Sequence, residues 1–171
     1  ALWLSILSPY ILKIMVHKNF YSAVECIPYI AFGYVFNGVY YFFVAGLFYN
    51  EAGTKYIFIA STVSAVVNVV LNFLLIPKYE IIGASVATLI SFALSSVIVL
   101  YLSKIINKKD DLKWKYKKIY SIVIISMIIT AVIKNAMLNF TSNLCLLLIS
   151  TIILYFVSGL KFKDIVNLKK K

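Results

Sequence analysis

The sequence is poor in the residues that most site chemistry uses. It holds one histidine, His17, six acidic residues and no arginine among 171 positions. Charged residues make up only 13% of the chain, too few to cover the surface of a soluble domain of this size. Two cysteines occur, Cys26 and Cys145, in or beside apolar runs and without metal-ligand spacing. They read as buried thiols rather than a disulfide or a zinc site. His17 falls in a loop, and no Cys/His nucleophile pair is indicated. The acidic pair Asp110-Asp111 stands alone in a lysine-rich stretch and reads as solvated. The chain is therefore not expected to be an enzyme, and no catalytic residue, metal set or cofactor is expected. The opening Ala1-Leu2-Trp3 has neither a basic leader nor a small-residue cleavage site, which argues against a signal peptide. The run Ala1–Val16 is short for a span and contains Pro9. It is expected to be the end of a transmembrane helix whose earlier part precedes this sequence.

What is present is apolar residue and lysine. Apolar types make up 63% of the chain, and the net charge of +11 comes from 17 lysines. Two long apolar runs, Tyr56–Ile76 and Ile81–Leu102, each reach the roughly 20 residues that cross a bilayer core as a helix. Between them lies Pro77-Lys78-Tyr79-Glu80. Proline lacks an N–H and disfavours helix at the residue before it, so Pro77 is expected to end the first helix. Four residues then permit only an antiparallel return, which predicts a transmembrane helical hairpin.

The hairpin carries polar and small residues at helical spacing. Ser61, Ser64, Ala65, Asn68 and Asn72 share one stripe, and Ala84, Thr88, Ser91 and Ser95 share another. An amide in hydrocarbon is costly unless hydrogen-bonded or wetted, so Asn68 and Asn72 are expected to face protein or a cavity. The Gly-Ala-x-x-Ala-Thr pattern at Gly83–Thr88 permits close backbone approach.

In chain order the expected spans are 1–16 in part, 24–49, 56–76, 81–102, 119–138 and 144–160. His17–Ala23 is read as a polar loop, and 50–55 as a turn. A long basic loop follows at 103–118, with Trp114 and Tyr116 as interface anchors, and a basic tail occupies 161–171. In the 24–49 span, Tyr34, Asn37, Tyr41 and Ala45 share a face, while Tyr40 and its aromatic neighbours read as packing. Lys13 and Lys134 sit near span ends, where a lysine snorkels to the headgroups or faces a central cavity. Asn139-Phe140-Thr141 matches a glycosylation sequon but hugs the membrane and is discounted. One side of the alternating spans holds Lys55, seven lysines of 103–118 and five of the tail. The other holds Lys18 and Lys78, with Lys13 and Lys134 near its edge. The positive-inside rule then places the long loop and C-terminus in the cytoplasm and Pro77–Glu80 outside. The fold expected is all-α, a polytopic bundle of five complete spans plus part of a sixth. The lysines border spans, which favours a membrane over a nucleic acid as partner.

Asn68-x3-Asn72-x3-Ile76-Pro77, followed by Gly83-Ala84-x2-Ala87-Thr88, resembles the hairpin of polysaccharide exporters. These are the Wzx-type O-antigen and capsule flippases of the MOP (MATE-like) superfamily. Ser8-Pro9-Tyr10-Ile11-Leu12-Lys13, Phe20-Tyr21-x-Ala23 and Ile27-Pro28 are similar to the segment before that hairpin. His17 departs from the glycine often found there, so the local turn differs. The resemblance covers essentially the whole chain and is shared with lipid II flippases. It implies the second six-helix bundle of a larger transporter, completed by an N-terminal bundle. It also implies alternating-access transport of polyprenyl-pyrophosphate-linked oligosaccharide across the bacterial cytoplasmic membrane, for lipopolysaccharide, capsule or other surface polysaccharide.

The residues suit part of that picture. A polar head crossing hydrocarbon needs a polar path, which Asn37, Tyr41, Asn68, Asn72, Thr88 and Ser91 could line. Pyrophosphate needs cations, for which Lys13 and Lys134 are the candidates. A lipid II-type precursor flippase and a cation-coupled multidrug antiporter of the same fold are the alternatives. The antiporter usually wants a buried carboxylate, and none lies in mid-span. A membrane enzyme would need His, Asp or Glu at a membrane face. In a purely structural membrane partner, helix–helix hydrogen bonds would account for the polar stripes.

Overall fold

The computed structural model describes residues 1–48, 51–107, 113–135, 143–144 and 146–152. Among these every element is helical and no strand occurs. The chain divides into two units, Ala1–Leu112 and Lys113–Lys171. The first contains α1 (Leu2–Met15), a 3-10 helix (Lys18–Glu25), α2 (Ile27–Leu47) and α3 (Glu51–Asn107). The second contains α4 (Lys113–Asn135), and residues 146–152 are also helical.

α3 is two helices in one. Its backbone is helical except at Glu80, where φ is 49° and ψ is −126°. Beyond that residue the chain folds back on itself. Ser64 Oγ donates to the Ser91 carbonyl at 2.6 Å, across 27 positions of sequence. Gly83 packs so tightly on the Leu75 backbone that an added Cβ would meet the Leu75 carbonyl oxygen at 2.5 Å. These two contacts define an antiparallel hairpin with arms 51–79 and 81–107. Each arm is about 40 Å long at 1.5 Å per residue, more than the ~30 Å bilayer core.

The seam between the arms is built from small residues. Gly83, Ala87, Ser91 and Ser95 recur every fourth position and are all buried. On the first arm Ala60 and Ser64 are buried. A fourfold ridge of small side chains lets two helix backbones approach closely. This row differs from the expected Ala84/Thr88/Ser91/Ser95 stripe in its first two members. Ala84 and Thr88 are half-buried beside the seam rather than in it. α2 lies against the second arm, where Gly33 faces Leu89 and Phe92. Tyr34 and Phe92 rings meet there, with centroids 5.8 Å apart.

Several local expectations are corrected. Helix continues through Pro77 to Tyr79, and the bend falls on Glu80 alone. Proline's fixed φ suits a helix and Pro77 forfeits one rung, while Gly83 pressed on Leu75 and Ile76 holds that last turn together. The stretch read as the polar loop His17–Ala23 is mostly 3-10 helix, closed by Phe20 N–H to His17 O and Cys26 N–H to Ala23 O. Residues 51–55, read as turn, already belong to α3, whose 103–107 also extend into the expected basic loop. α2 begins at Ile27, with Pro28 in its first turn, where a missing N–H costs least. Cys26 is buried and free. Cys145, Asp110-Asp111, the sequon at 139–141, the tail 161–171 and most of the 144–160 span lie outside the described residues.

Two helical stretches are long and apolar enough to cross a membrane, Phe20–Ala45 and Gly53–Ser103. The first arm of the second stretch is mostly uncovered by protein. Large apolar side chains of the first arm stand bare, Phe73 at 78% and Val66 at 57% exposed. A core helix of a soluble protein would bury that face.

Candidate functional site: a polar groove between α2 and the hairpin

α2 and the two arms of α3 line an open groove of about 570 Å³. α2 contributes Asn37, Tyr40 and Tyr41 to its wall. The first arm contributes Ser61, Ser64, Ala65, Asn68 and Val69, and the second Thr88, Ser91, Phe92 and Ser95. Asn68 precedes the Glu80 bend by 12 positions and Thr88 follows it by eight. The groove thus lies ~10–30 Å along the arms from the bend, in their middle.

The wall is polar for a reason visible in its spacing. Ser61, Ala65 and Asn68 recur at helical intervals, as do Thr88, Ser91 and Ser95, so each set projects to one side of its arm. Most hydroxyls are satisfied by their own helices. Ser61 Oγ lies 3.0 Å from the carbonyls of both Ile57 and Phe58. Thr88 Oγ1 donates to Ala84 O, Ser91 Oγ to Ala87 O and Ser95 Oγ to Phe92 O. Such back-bonding lets a hydroxyl sit in an apolar setting with its lone pairs still able to accept. Ser64 is different, since its bond to Ser91 O ties the two arms together beneath the groove.

Of the residues expected to line a path, Asn37, Tyr41, Asn68, Thr88 and Ser91 are brought to this one groove. Asn72 is not in its wall. It sits one helical turn nearer the bend, where Nδ2 donates to Asn68 Oδ1 at 2.9 Å. Its own Oδ1 is buried with no hydrogen-bond partner among the described residues. Asn72 therefore orients the Asn68 amide from behind. Tyr40 and Phe92 belong to the wall and were not among the expected residues. Tyr40 reads as packing in an aromatic run, and only the fold shows which of its rings face the groove. The Tyr40 and Tyr41 rings meet edge to face, with centroids 5.3 Å apart at 75°.

Of the two candidate cations, Lys13 is not in this wall. Lys13 is an exposed residue in the last turn of α1, and among the described residues no lysine or carboxylate lines the groove. Lys134 belongs to α4 in the second unit, and its side chain lies outside the described residues. Among residues whose side chains are described, no group of histidine, cysteine and acidic residues could hold a metal ion.

Among the described residues these features define an all-helical protein with two helical stretches of membrane-crossing length and an amide- and hydroxyl-lined groove between helices. No known protein family, characterised protein or solved structure matches the chain.

Proposed function

We propose that the chain is part of a membrane transporter that moves a polar, lipid-linked substrate across the bilayer. The reading rests on one observation, a polar groove halfway along an apolar hairpin whose outer face is bare. Exposed valine and phenylalanine suit lipid, and an amide-lined groove at mid-depth suits a headgroup that must cross hydrocarbon. In this reading α2 and both arms of α3 each span the membrane, as do α4 and the helix that includes 146–152. α1 supplies part of a sixth span. The bend at Glu80 faces outward and the C-terminus is cytoplasmic.

The resemblance of the hairpin to polysaccharide exporters selects the substrate class, a polyprenyl-pyrophosphate-linked oligosaccharide flipped across the cytoplasmic membrane. A second, N-terminal bundle completes the path. The test is expression of the encoding gene in hosts lacking their own flippase. Surface polysaccharide should return, and lipid-linked oligosaccharide should stop accumulating on the cytoplasmic leaflet. Asn68→Leu should cut export by roughly tenfold at equal expression, about what 1.4 kcal/mol of lost binding gives. The outward-facing Phe73→Ala should leave it unchanged. Failure to restore export of any repeat unit, together with acquired drug resistance, would replace this reading with a multidrug antiporter.

A further inference from the structure

We infer that the groove between α2 and the hairpin is a saccharide site for uncharged sugar rings, and that it does not hold a phosphate. As a handhold for a transported glycan the inference rests on the transport reading; the chemistry of the site is argued from the groove alone. Its volume of about 570 Å³ falls in the range of small-molecule sites, roughly 300–1,000 Å³. Three kinds of group converge on it.

The first is an aromatic platform. Tyr41 is 63% exposed, and the edge of one tyrosine ring rests against the face of the other, which fixes the Tyr40–Tyr41 pair. A sugar ring offers one face of C–H groups, which carry partial positive charge and favour the negative face of an aromatic ring. The second is an oriented amide. Asn68 Oδ1 is occupied by Asn72 Nδ2, so the Asn68 NH2 is turned to its other side as a donor. Asn37 faces it from α2 and can both donate and accept. The third is acceptor capacity. The Ser61 and Thr88 hydroxyl protons are engaged by their own helices, which leaves lone pairs for ligand hydroxyls.

Among the described residues, what holds an anion is missing from this wall. Phosphate is recognised by lysine, arginine or a helix N-terminus. Among the described residues no lysine lines the groove, and no helix begins in its wall, the nearest start being that of the second arm about two turns before Thr88. A pyrophosphate here finds no countercharge among the described residues, whereas a neutral sugar exchanges water hydrogen bonds for amide ones.

The experiment is saturation-transfer NMR on the protein in lipid nanodiscs, with maltose, chitobiose and inorganic pyrophosphate as probes. At least one saccharide should receive transfer on its ring C–H protons, above empty nanodiscs. Excess pyrophosphate should not displace it. Tyr41→Ala and Asn68→Leu should each weaken it by roughly tenfold, the scale of one aromatic or hydrogen-bonding contact. Phe73→Ala should bind like the parent. No transfer to either sugar, displacement by pyrophosphate, or unchanged binding in both groove variants would overturn the site. Flipping of a polyprenyl-pyrophosphate disaccharide in proteoliposomes tests the transport reading separately. Sugar binding without flipping leaves the site standing and removes the transport role. Flipping without sugar binding does the reverse.

Discussion

Glu80 carries the whole reversal of the hairpin on one residue. Its φ of 49° with ψ of −126° is a conformation that glycine adopts freely and a side chain with a Cβ resists. Such a residue costs of order 1–3 kcal/mol, sustained by the packing around it. Glu80→Gly should therefore raise the thermal midpoint in detergent micelles, by an amount equivalent to about 1 kcal/mol or more. An unchanged or lower midpoint would mean that the strain is not relieved. Gly83 is the opposite case. An added methyl would press on the Leu75 carbonyl, which is backbone and has no rotamer to change. Gly83→Val should destabilise by roughly 1–3 kcal/mol in the same assay. Gly38→Ala serves as the control, since nothing lies within 4 Å of its added Cβ and it should be neutral or mildly stabilising.

At the scale of the element, the decisive object is the seam between the two arms of α3. In an apolar medium the hydrophobic effect does not draw helices together, so close packing and interhelical hydrogen bonds must. The row Gly83, Ala87, Ser91, Ser95 supplies the close packing, and Ser64 to Ser91 supplies a hydrogen bond. A cysteine pair at Ser64 and Ser91, in a background without Cys26 and Cys145, should link rapidly through a short thiol-reactive spacer. A pair at Val66 and Val97 should not, because both side chains point outward. Equal linking by the two pairs would contradict the hairpin register. The seam was partly legible, since the Gly-Ala-x-x-Ala-Thr pattern announces close approach. Its phase was not. Glycine, alanine, serine and threonine are nearly interchangeable at such an interface, and only the packed partner selects Ala87 over Thr88.

For the whole molecule, the bare apolar faces and the lysine bias make one prediction. Lys78, Tyr79 and Glu80 are exposed at the bend. In intact cells a cysteine at Tyr79 should react with a membrane-impermeant maleimide, while one at Lys55 should react only after lysis. Labelling at Lys55 and protection at Tyr79 would invert the orientation. Resistance of the protein to alkaline extraction from membranes checks insertion itself. Release by alkali would return the two long apolar helices to a surface role.

Composition and spacing alone determined the helical class, apolar runs of membrane-crossing length within 24–49 and 56–102, and the presence of a bend near Pro77. These follow from local rules, namely backbone satisfaction in an apolar run and the geometry of proline. The all-α expectation stands among the described residues, while the wider bundle stays with the proposed function. The sequence also placed Asn37 with Tyr41, and Thr88 with Ser91, on shared stripes and Asn68 on a third, because helical periodicity is visible without a partner. Only the tertiary structure decided that they meet in one groove, that Tyr40 joins them and that Asn72 stands behind Asn68. It also moved the reversal from Pro77 to Glu80. Each of these depends on how far one helix slides and turns against another, and contacts between positions distant in the chain set that.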